Sequence, residues 1–433
     1  MPPNTRYKNI FRVLAGSQLI LKYKNGRCKI NEEILFNPFN YKKNIKSLCN
    51  ITEKITKYLK GSLEQFSEDD DKIGFLFSGG LDSSILLRIC QELNFKLKNT
   101  YSTSYPFEEE KLNIEQYYAT SAARSLNQEH DIIEFDNKSY LRGLIQSIYY
   151  AEEPIHHLQS VLLYLIFSEG IPTSKRVIFN GQGADICWGE SYHNDVKLAN
   201  KTLFKIVRNL PKSFTTKLLI LLSKTPLMGK KFNDLKGFFE FIYKFRFNVD
   251  NPNNFLWGFS KYGNDDWNVN YFKIERNDII KYRLKTIKKY NIKNYYDLIS
   301  LAGLIGDTDI IVSIWSKIAE SQGRMVFYPY LVKNMIELAF RMPWKVKLKQ
   351  NKYVLKKFAQ ILSIPDFIIN RKKSGFGLNS LSWSKKGGIF DPLLPLLRKV
   401  IDIDIIYELR KDNNLESFPF KLSFFWTILF CNS

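Results

Sequence analysis

The seven residues Ser78-Gly79-Gly80-Leu81-Asp82-Ser83-Ser84 constrain this chain more than any other stretch. They follow IGFLF (73–77), a short run without a charged or hydroxyl residue, as expected of a buried parallel strand. A helix is expected to follow, from about Ser83 to Leu93. Strand, glycine loop and helix together make an anion cradle. The glycines let the backbone turn tightly and approach a ligand. Ser78, Ser83 and Ser84 bring hydroxyls, and the helix start brings unpaired N–H groups and the positive end of its dipole. Asp82 fits beside an anion only if a cation lies between them, and Mg²⁺ is the natural choice. The loop is not a Walker A motif, because the Gly-Lys at the required spacing is absent.

The text on either side repeats the alternation. Residues 51–66 have helical apolar spacing at Ile51, Ile55, Tyr58, Leu59 and Leu63. Residues 100–104 read as a strand. Asn113 and Gln116 resemble a capping box opening a helix, 131–135 reads as a strand, 139–150 and 158–168 as helices, and 176–179 as a strand. Strands alternating with helices predict an α/β fold built on a doubly wound parallel sheet. Residues 1–50 read as short strands and turns around Gly26 and Pro38. Residues 196–300 are Lys-rich with helical periods, and 301–380 continue as helices broken by Pro329, Pro343 and Pro365. A large helical C-terminal portion is therefore expected.

Composition excludes several classes. With 433 residues, 45% hydrophobic and 25% charged, the chain can bury a substantial core and is neither disordered nor fibrous. The longest apolar stretch, Leu422 to Phe430, is too short to span a bilayer, which takes about 20 residues. The N-terminus lacks the apolar segment of a secretory signal. Five cysteines without CxxC spacing read as free thiols of a reducing, cytoplasmic protein. The net charge of +21 comes from 48 Lys and only 16 Arg, dispersed along the chain. Nucleic-acid readers lean on Arg, so the charge reflects either compositional drift or an anionic partner such as an acidic peptide.

The SGGLDSS loop resembles the pyrophosphate loop of the N-type ATP pyrophosphatases, and most of all that of the asparagine synthetase family. Further blocks agree in order: NIEQYYATSAARSLNQEHDIIEF (113–135), AEEPIHHLQSVLLYLI (151–166), RVIFNGQGADICWGE (176–190), YPYLVKNMIELAFRMP (328–343), KYVLKK (352–357) and NRKKSGFG (370–377). The resemblance covers about residues 50–380. It implies an adenine nucleotide α-hydrolase-like fold over 51–433, with 196–300 divergent. It also implies an ATP-dependent ligase that adenylates a carboxylate, releases pyrophosphate, and forms an amide when an amine or ammonia displaces AMP. Carried over by position, Ser78, Gly79, Gly80, Leu81, Asp82, Ser83 and Ser84 would bind ATP and its pyrophosphate, with Tyr101 and Ser102 on the adenine strand and Gly181 and Gly183 in the second loop. Asp82 and Asp185 would bind Mg²⁺, and Lys373 would be the catalytic lysine.

Departures from the family pattern narrow the reading. Pro2 stands where the family's glutaminase nucleophile, a cysteine, would be, and residues 1–50 resemble only the tail of that domain. Glutamine hydrolysis is therefore not expected, and a separate ammonia donor or a substrate amine takes its place. The family's Gly-Glu-Gly-Ala-Asp-Glu reads Gly181-Gln182-Gly183-Ala184-Asp185-Ile186. Gln182 is a neutral amide and does not titrate. Such a change resembles β-lactam synthetases and lasso peptide cyclases, whose amine belongs to a substrate. Phe327 and Val332 replace polar residues of the substrate block. Alternatives are thus lasso-type macrocyclisation, amidation of a sugar acid, or a degenerate protein that binds ATP without turnover. Of Glu152 and Glu153, adjacent on a helix, at most one faces the site, and Glu153 is the candidate acid/base. Cys187 reads as a small apolar filler. Lys352 and Lys356, one turn apart, line either a phosphate-facing surface or a solvated helix face.

Overall fold

The computed structural model describes residues 10–45, 47–104, 114–155, 157–189, 303–347, 349–371 and 383–399, with isolated positions between 213 and 301 and between 402 and 430. The chain opens as an antiparallel hairpin, β1 (Ser17–Lys24) and β2 (Arg27–Ile34). Asn25 and Gly26 turn it with φ of 50° and 75°. Asn-Gly is the dipeptide that tolerates two successive positive φ values. Helix α1 (Leu48–Leu63) follows, capped by the Ser47 side chain. Ile51, Ile55, Leu59 and Leu63, four residues apart, form one stripe and are wholly buried. Each such side chain contributes about 1.5–3 kcal/mol by leaving water.

The strand–helix alternation comes next: β3 (Ile73–Phe75), α2 (Leu81–Glu92), β4 (Asn99–Ser104), α3 (Ile114–Ser125), β5 (Glu129–Glu134), α4 (Asn137–Ala151), α5 (Gln159–Leu165), β6 (Val177–Phe179) and α6 (Ala184–Trp188). After the gap in the described residues come α7 (Asp309–Glu320), β7 (Met325–Phe327), α8 (Lys333–Arg341), α9 (Trp344–Lys347), α10 (Tyr353–Ile361) and α11 (Asp366–Ile369). β3 pairs with β6, β6 with β7, and β4 with β5, all parallel. A parallel bridge from Leu76 to Tyr101, with Phe77 N donating to Tyr101 O at 2.8 Å, sets β4 beside the exit of β3. The lateral order is therefore β5-β4-β3-β6-β7.

The expected parallel α/β architecture is present. One correction concerns 301–380, read as helices throughout: β7 lies within it. Three residues carry too little periodicity to show, yet they complete the sheet. Buried Arg324, just before β7, donates to Ile171 O (2.7 Å), Lys175 O (2.8 Å) and Pro172 O (3.1 Å), fastening this strand to the entry of β6. Successive residues of β6 serve opposite cores. Phe179 packs with residues of α1, α2 and α10, and Ile178 packs with Ile314 and Ile318 of α7. The Asn113 cap and nearly all of 196–300 lie outside the described residues. Among the described residues no helix is long and apolar enough to cross a membrane.

Candidate active site

Loops leaving the C-terminal ends of three adjacent parallel strands meet, which is where open α/β sheets bind ligands. After β3, Gly79 takes φ +65°, and a Cβ there would stand 2.5 Å from Tyr118 O and 2.6 Å from Ala119 Cα of α3. The loop thus lies on a helix backbone with no room for a side chain. Gly80 is the extended N-cap of α2, whose first turn receives no side-chain cap. Its N–H groups are left for a ligand. The Ser78 and Ser83 hydroxyls face each other at 3.3 Å, and Ser83 Oγ also donates to Gly80 O. Ser84 is fully buried, and its hydroxyl finds no partner among the described residues. Leu81 is buried in the core, so its contribution to the loop is backbone and anchorage.

The loop after β6 packs onto the first. A Cβ on Gly181 would touch Asp82 Cβ and Ser83 N at 3.5 Å. Gly183 has φ +96°, and a side chain there would collide with Leu331, so the turn into α6 requires glycine. Asn180 Oδ1 accepts from Gln182 N at 2.8 Å and rounds the turn. α6 then places Asp185 in its first turn. The two aspartates converge on one cation: Lys352 Nζ lies 2.5 Å from Asp82 Oδ2 and 2.5 Å from Asp185 Oδ1. The Lys352 side chain is only 8% exposed. Its backbone is left-handed (φ 51°, ψ 33°) at the start of α10, an unusual state for a non-glycine residue. Tyr330, wholly buried after β7, donates from its hydroxyl to Asp82 O at 3.0 Å. Burial pushes that phenol well above its ordinary value, so it remains a donor.

Two carboxylates from separate loops, with anionic oxygens only, are the donor set Mg²⁺ takes. Among the described residues no group of three or more His, Cys, Asp or Glu could hold a metal. Asp82 and Asp185 have the donor chemistry a hard divalent cation takes, and in this structure both face the Lys352 ammonium. Of the two readings for Lys352 and Lys356, Lys352 enters the site.

The other anticipated residues are distributed as follows. Tyr101 O fixes the exit of β3, and Ser102 Oγ shares a hydrogen bond with His130 Nε2 at 2.9 Å. Glu152 and Glu153 do not lie on a helix as expected, because α4 ends at Ala151 and Glu152 (φ 54°) is its left-handed cap; Glu153 faces Lys317 Nζ (3.5 Å) and Arg12 (3.8 Å), while Glu152 is the more exposed of the pair. Lys373 lies outside the described residues. Arg371, two positions earlier, donates to Ser78 O at 3.2 Å, pairs with Glu115 at 2.5 Å and stacks 4.2 Å above the Tyr118 ring. Cys187 is fully buried, and burial pushes its thiol up to about 12, which fits a filler and not a nucleophile. Tyr330 and Arg371 lie within the blocks 328–343 and 370–377 that carry the family resemblance, but no local spacing marks them as site residues, since both act across long chain separations.

The family described as Asparagine synthase matches residues 54–400. A curated relative, "Asparagine synthetase [glutamine-hydrolyzing] 1" of Bacillus subtilis (strain 168), is 23% identical over 400 residues. That match takes in 88% of this chain and 58% of the relative, so the chain spans little more than half of that protein's length.

Proposed function

This chain belongs to the asparagine synthase family, and from that premise we propose that it is an ATP-dependent, AMP-forming carbon–nitrogen ligase on a doubly wound, nucleotide α-hydrolase-like sheet. The single observation that carries this reading is the convergence of Asp82 and Asp185, from two glycine loops, on the Lys352 ammonium. In the proposed reaction a substrate carboxylate oxygen attacks the α-phosphorus of ATP, and the bond to pyrophosphate breaks. The amine nitrogen then attacks the acyl carbon, the bond to AMP breaks, and the nitrogen loses a proton.

The backbone of Gly79 and Gly80, the first turn of α2 and the hydroxyls of Ser78 and Ser83 hold the pyrophosphate. Asp82 and Asp185 would hold Mg²⁺, which when bound screens phosphate charge. Lys352 and Lys373 supply positive charge for the departing pyrophosphate, where preorganised charge is worth most. Gln182 offers a hydrogen-bonding amide and no base, so the amine proton goes to another group. The loop's resemblance to those of β-lactam synthetases and lasso peptide cyclases supports an amine carried by a substrate, as in macrocyclisation or attachment to a sugar acid.

Incubation with α-³²P-labelled ATP, Mg²⁺, a panel of carboxylic acids and hydroxylamine as trapping amine tests the proposal. Labelled AMP, pyrophosphate and a hydroxamate are the expected products. Label recovered only as ADP would overturn the reading.

A further inference from the structure

The β1–β2 hairpin takes no part in the ATP chemistry, yet it is built as a two-sided surface. Its register sets Leu21 opposite Ile30 and Tyr23 opposite Cys28 on one face. Lys22 lies opposite Lys29 and Lys24 opposite Arg27 on the other. Leu19, Leu21, Ile30 and Tyr23 are 47%, 65%, 63% and 76% exposed. Contiguous apolar exposure of this kind marks interaction surfaces. The like charges directly opposite one another destabilise a hairpin that has no anion over them. The base is nevertheless firmly held: Gly16 O accepts from Leu35 N (2.9 Å) and Phe36 N (3.0 Å), and Ile34 packs with Tyr290, Leu301 and Ile305. Among the described residues no strand pairs with the outer edge of either β1 or β2.

We infer that this hairpin is a docking surface for an acidic polypeptide segment that adds as a third β-strand. Side chains of a strand alternate between faces. A segment alternating apolar and acidic residues would set its apolar side with Leu21, Tyr23 and Ile30 and its carboxylates beside Lys22, Lys24, Arg27 and Lys29. Its backbone would satisfy the open edge. Charge complementarity selects this occupant, because the rest of a chain of net charge +21 repels a basic one. A bilayer would leave the edge N–H and C=O groups unpaired in hydrocarbon, and a nucleic acid would leave the apolar face unused.

The experiment uses the full chain and a fluorescein-labelled synthetic peptide alternating Glu and Val, read by anisotropy at about 0.15 M salt. Saturable binding is expected, at least about tenfold tighter than that of a Glu-Ser alternating peptide, a gap of about 1.4 kcal/mol. That comparison needs no variant. Leu21→Ser/Ile30→Ser and Lys22→Glu/Lys29→Glu should each weaken binding about tenfold or more, with unchanged melting temperature. Lys385→Glu/Lys386→Glu, an equal charge change at an exposed site elsewhere, should leave it within about twofold. Bound peptide should slow amide exchange along β1 or β2. Equal affinity for both peptides, or equal loss in the Lys385/Lys386 variant, would reduce the effect to general charge and overturn the inference. A dimer in sedimentation that Leu21→Ser/Ile30→Ser dissolves would show a second copy on this face and also overturn it. So would anionic vesicles binding the hairpin without competition from the peptide. None of these readouts involves ATP, so the outcome is independent of the proposed ligase activity.

Discussion

Lys347 offers a quantitative test of how the second loop is supported. It ends α9 with 1% of its surface exposed, and its ammonium donates to Cys187 O at 2.9 Å, near the end of the short helix that begins beside Asp185. Burial pulls its pKa down to about 7, Lys43 adds repulsion, and Cys187 and Asp297 oppose the shift. In the unfolded chain a lysine titrates near about 10.4. Between those values the unfolded state binds more protons, so stability rises with pH from about 7 upward and is flat below. Each pH unit is worth at most about 1.4 kcal/mol. With its titration centred near the start of that range, Lys347 contributes on the order of 1–2 kcal/mol between roughly pH 7 and 8.5. Lys347→Met removes that slope. It also leaves the Cys187 carbonyl without its donor, a pH-independent cost of about 1–3 kcal/mol. Urea unfolding of both proteins, followed by tryptophan fluorescence, should therefore show the variant losing on the order of 1–2 kcal/mol relative to wild type over that window. A difference that stays constant within about 0.5 kcal/mol would show a lysine charged throughout and refute the argument.

Asp82→Asn and Asp185→Asn should each weaken Mg²⁺-dependent ATP binding, measured by calorimetry, because hard cations need anionic oxygens; unchanged Mg²⁺ dependence in both would remove them from the site. Lys352→Met removes the ammonium that lies between two carboxylates and should cost about 1–3 kcal/mol, less than breaking a wholly buried pair. Added Mg²⁺ should raise its melting temperature more than that of wild type, and an equal rise would count against the cluster. Gly79→Ala forces a Cβ onto the backbone of α3 at positive φ and should cost about 1–3 kcal/mol with weaker ATP binding; an undisturbed melt and ATP titration would show that the loop has room. Lys373→Ala should retain ATP binding and lose at least about 10²-fold in turnover, while Lys372→Ala loses little; pyrophosphate release decides, and near-wild-type turnover in Lys373→Ala would remove the lysine from catalysis.

What could be read in advance was local. The strand, Gly79-Gly80 turn and helix are consecutive in the chain, so one stretch specified the cradle, and the structure assigns the positive φ to Gly79 and the extended cap to Gly80. The α1 stripe was legible because four apolar residues recur one helical turn apart. β7 was not, because three residues have no measurable period, and it exists through pairing with β6. The Asn25-Gly26 dipeptide was a usable hairpin signal that a reading based on Gly26 alone did not exploit. Lys352 had two equal readings because nothing marks the left-handed turn before α10: the residue in it is the lysine itself. Tyr330 and Arg371 reach Asp82 and Ser78 across 248 and 293 positions, distances no spacing rule covers.

The cluster at Asp82, Asp185 and Lys352 links stability to chemistry. Each residue sits on backbone that the core holds: Ile85, Leu86 and Ile89 bury α2, Trp188 buries α6, and Val354, Leu355 and Phe358 bury α10. Two carboxylates drawn together by these elements repel, and a left-handed lysine adds roughly 1 kcal/mol of backbone strain. Both costs are offset while the ammonium lies between the carboxylates, because pairing satisfies all three charges in a poorly hydrated site. A divalent cation on the aspartates would compete with the Lys352 ammonium, whose side chain is 8% exposed, for the same two carboxylates. Phosphate oxygens on such a cation would offer that ammonium anionic acceptors in exchange. On the proposed reading, metal and nucleotide would therefore support each other's place in the site.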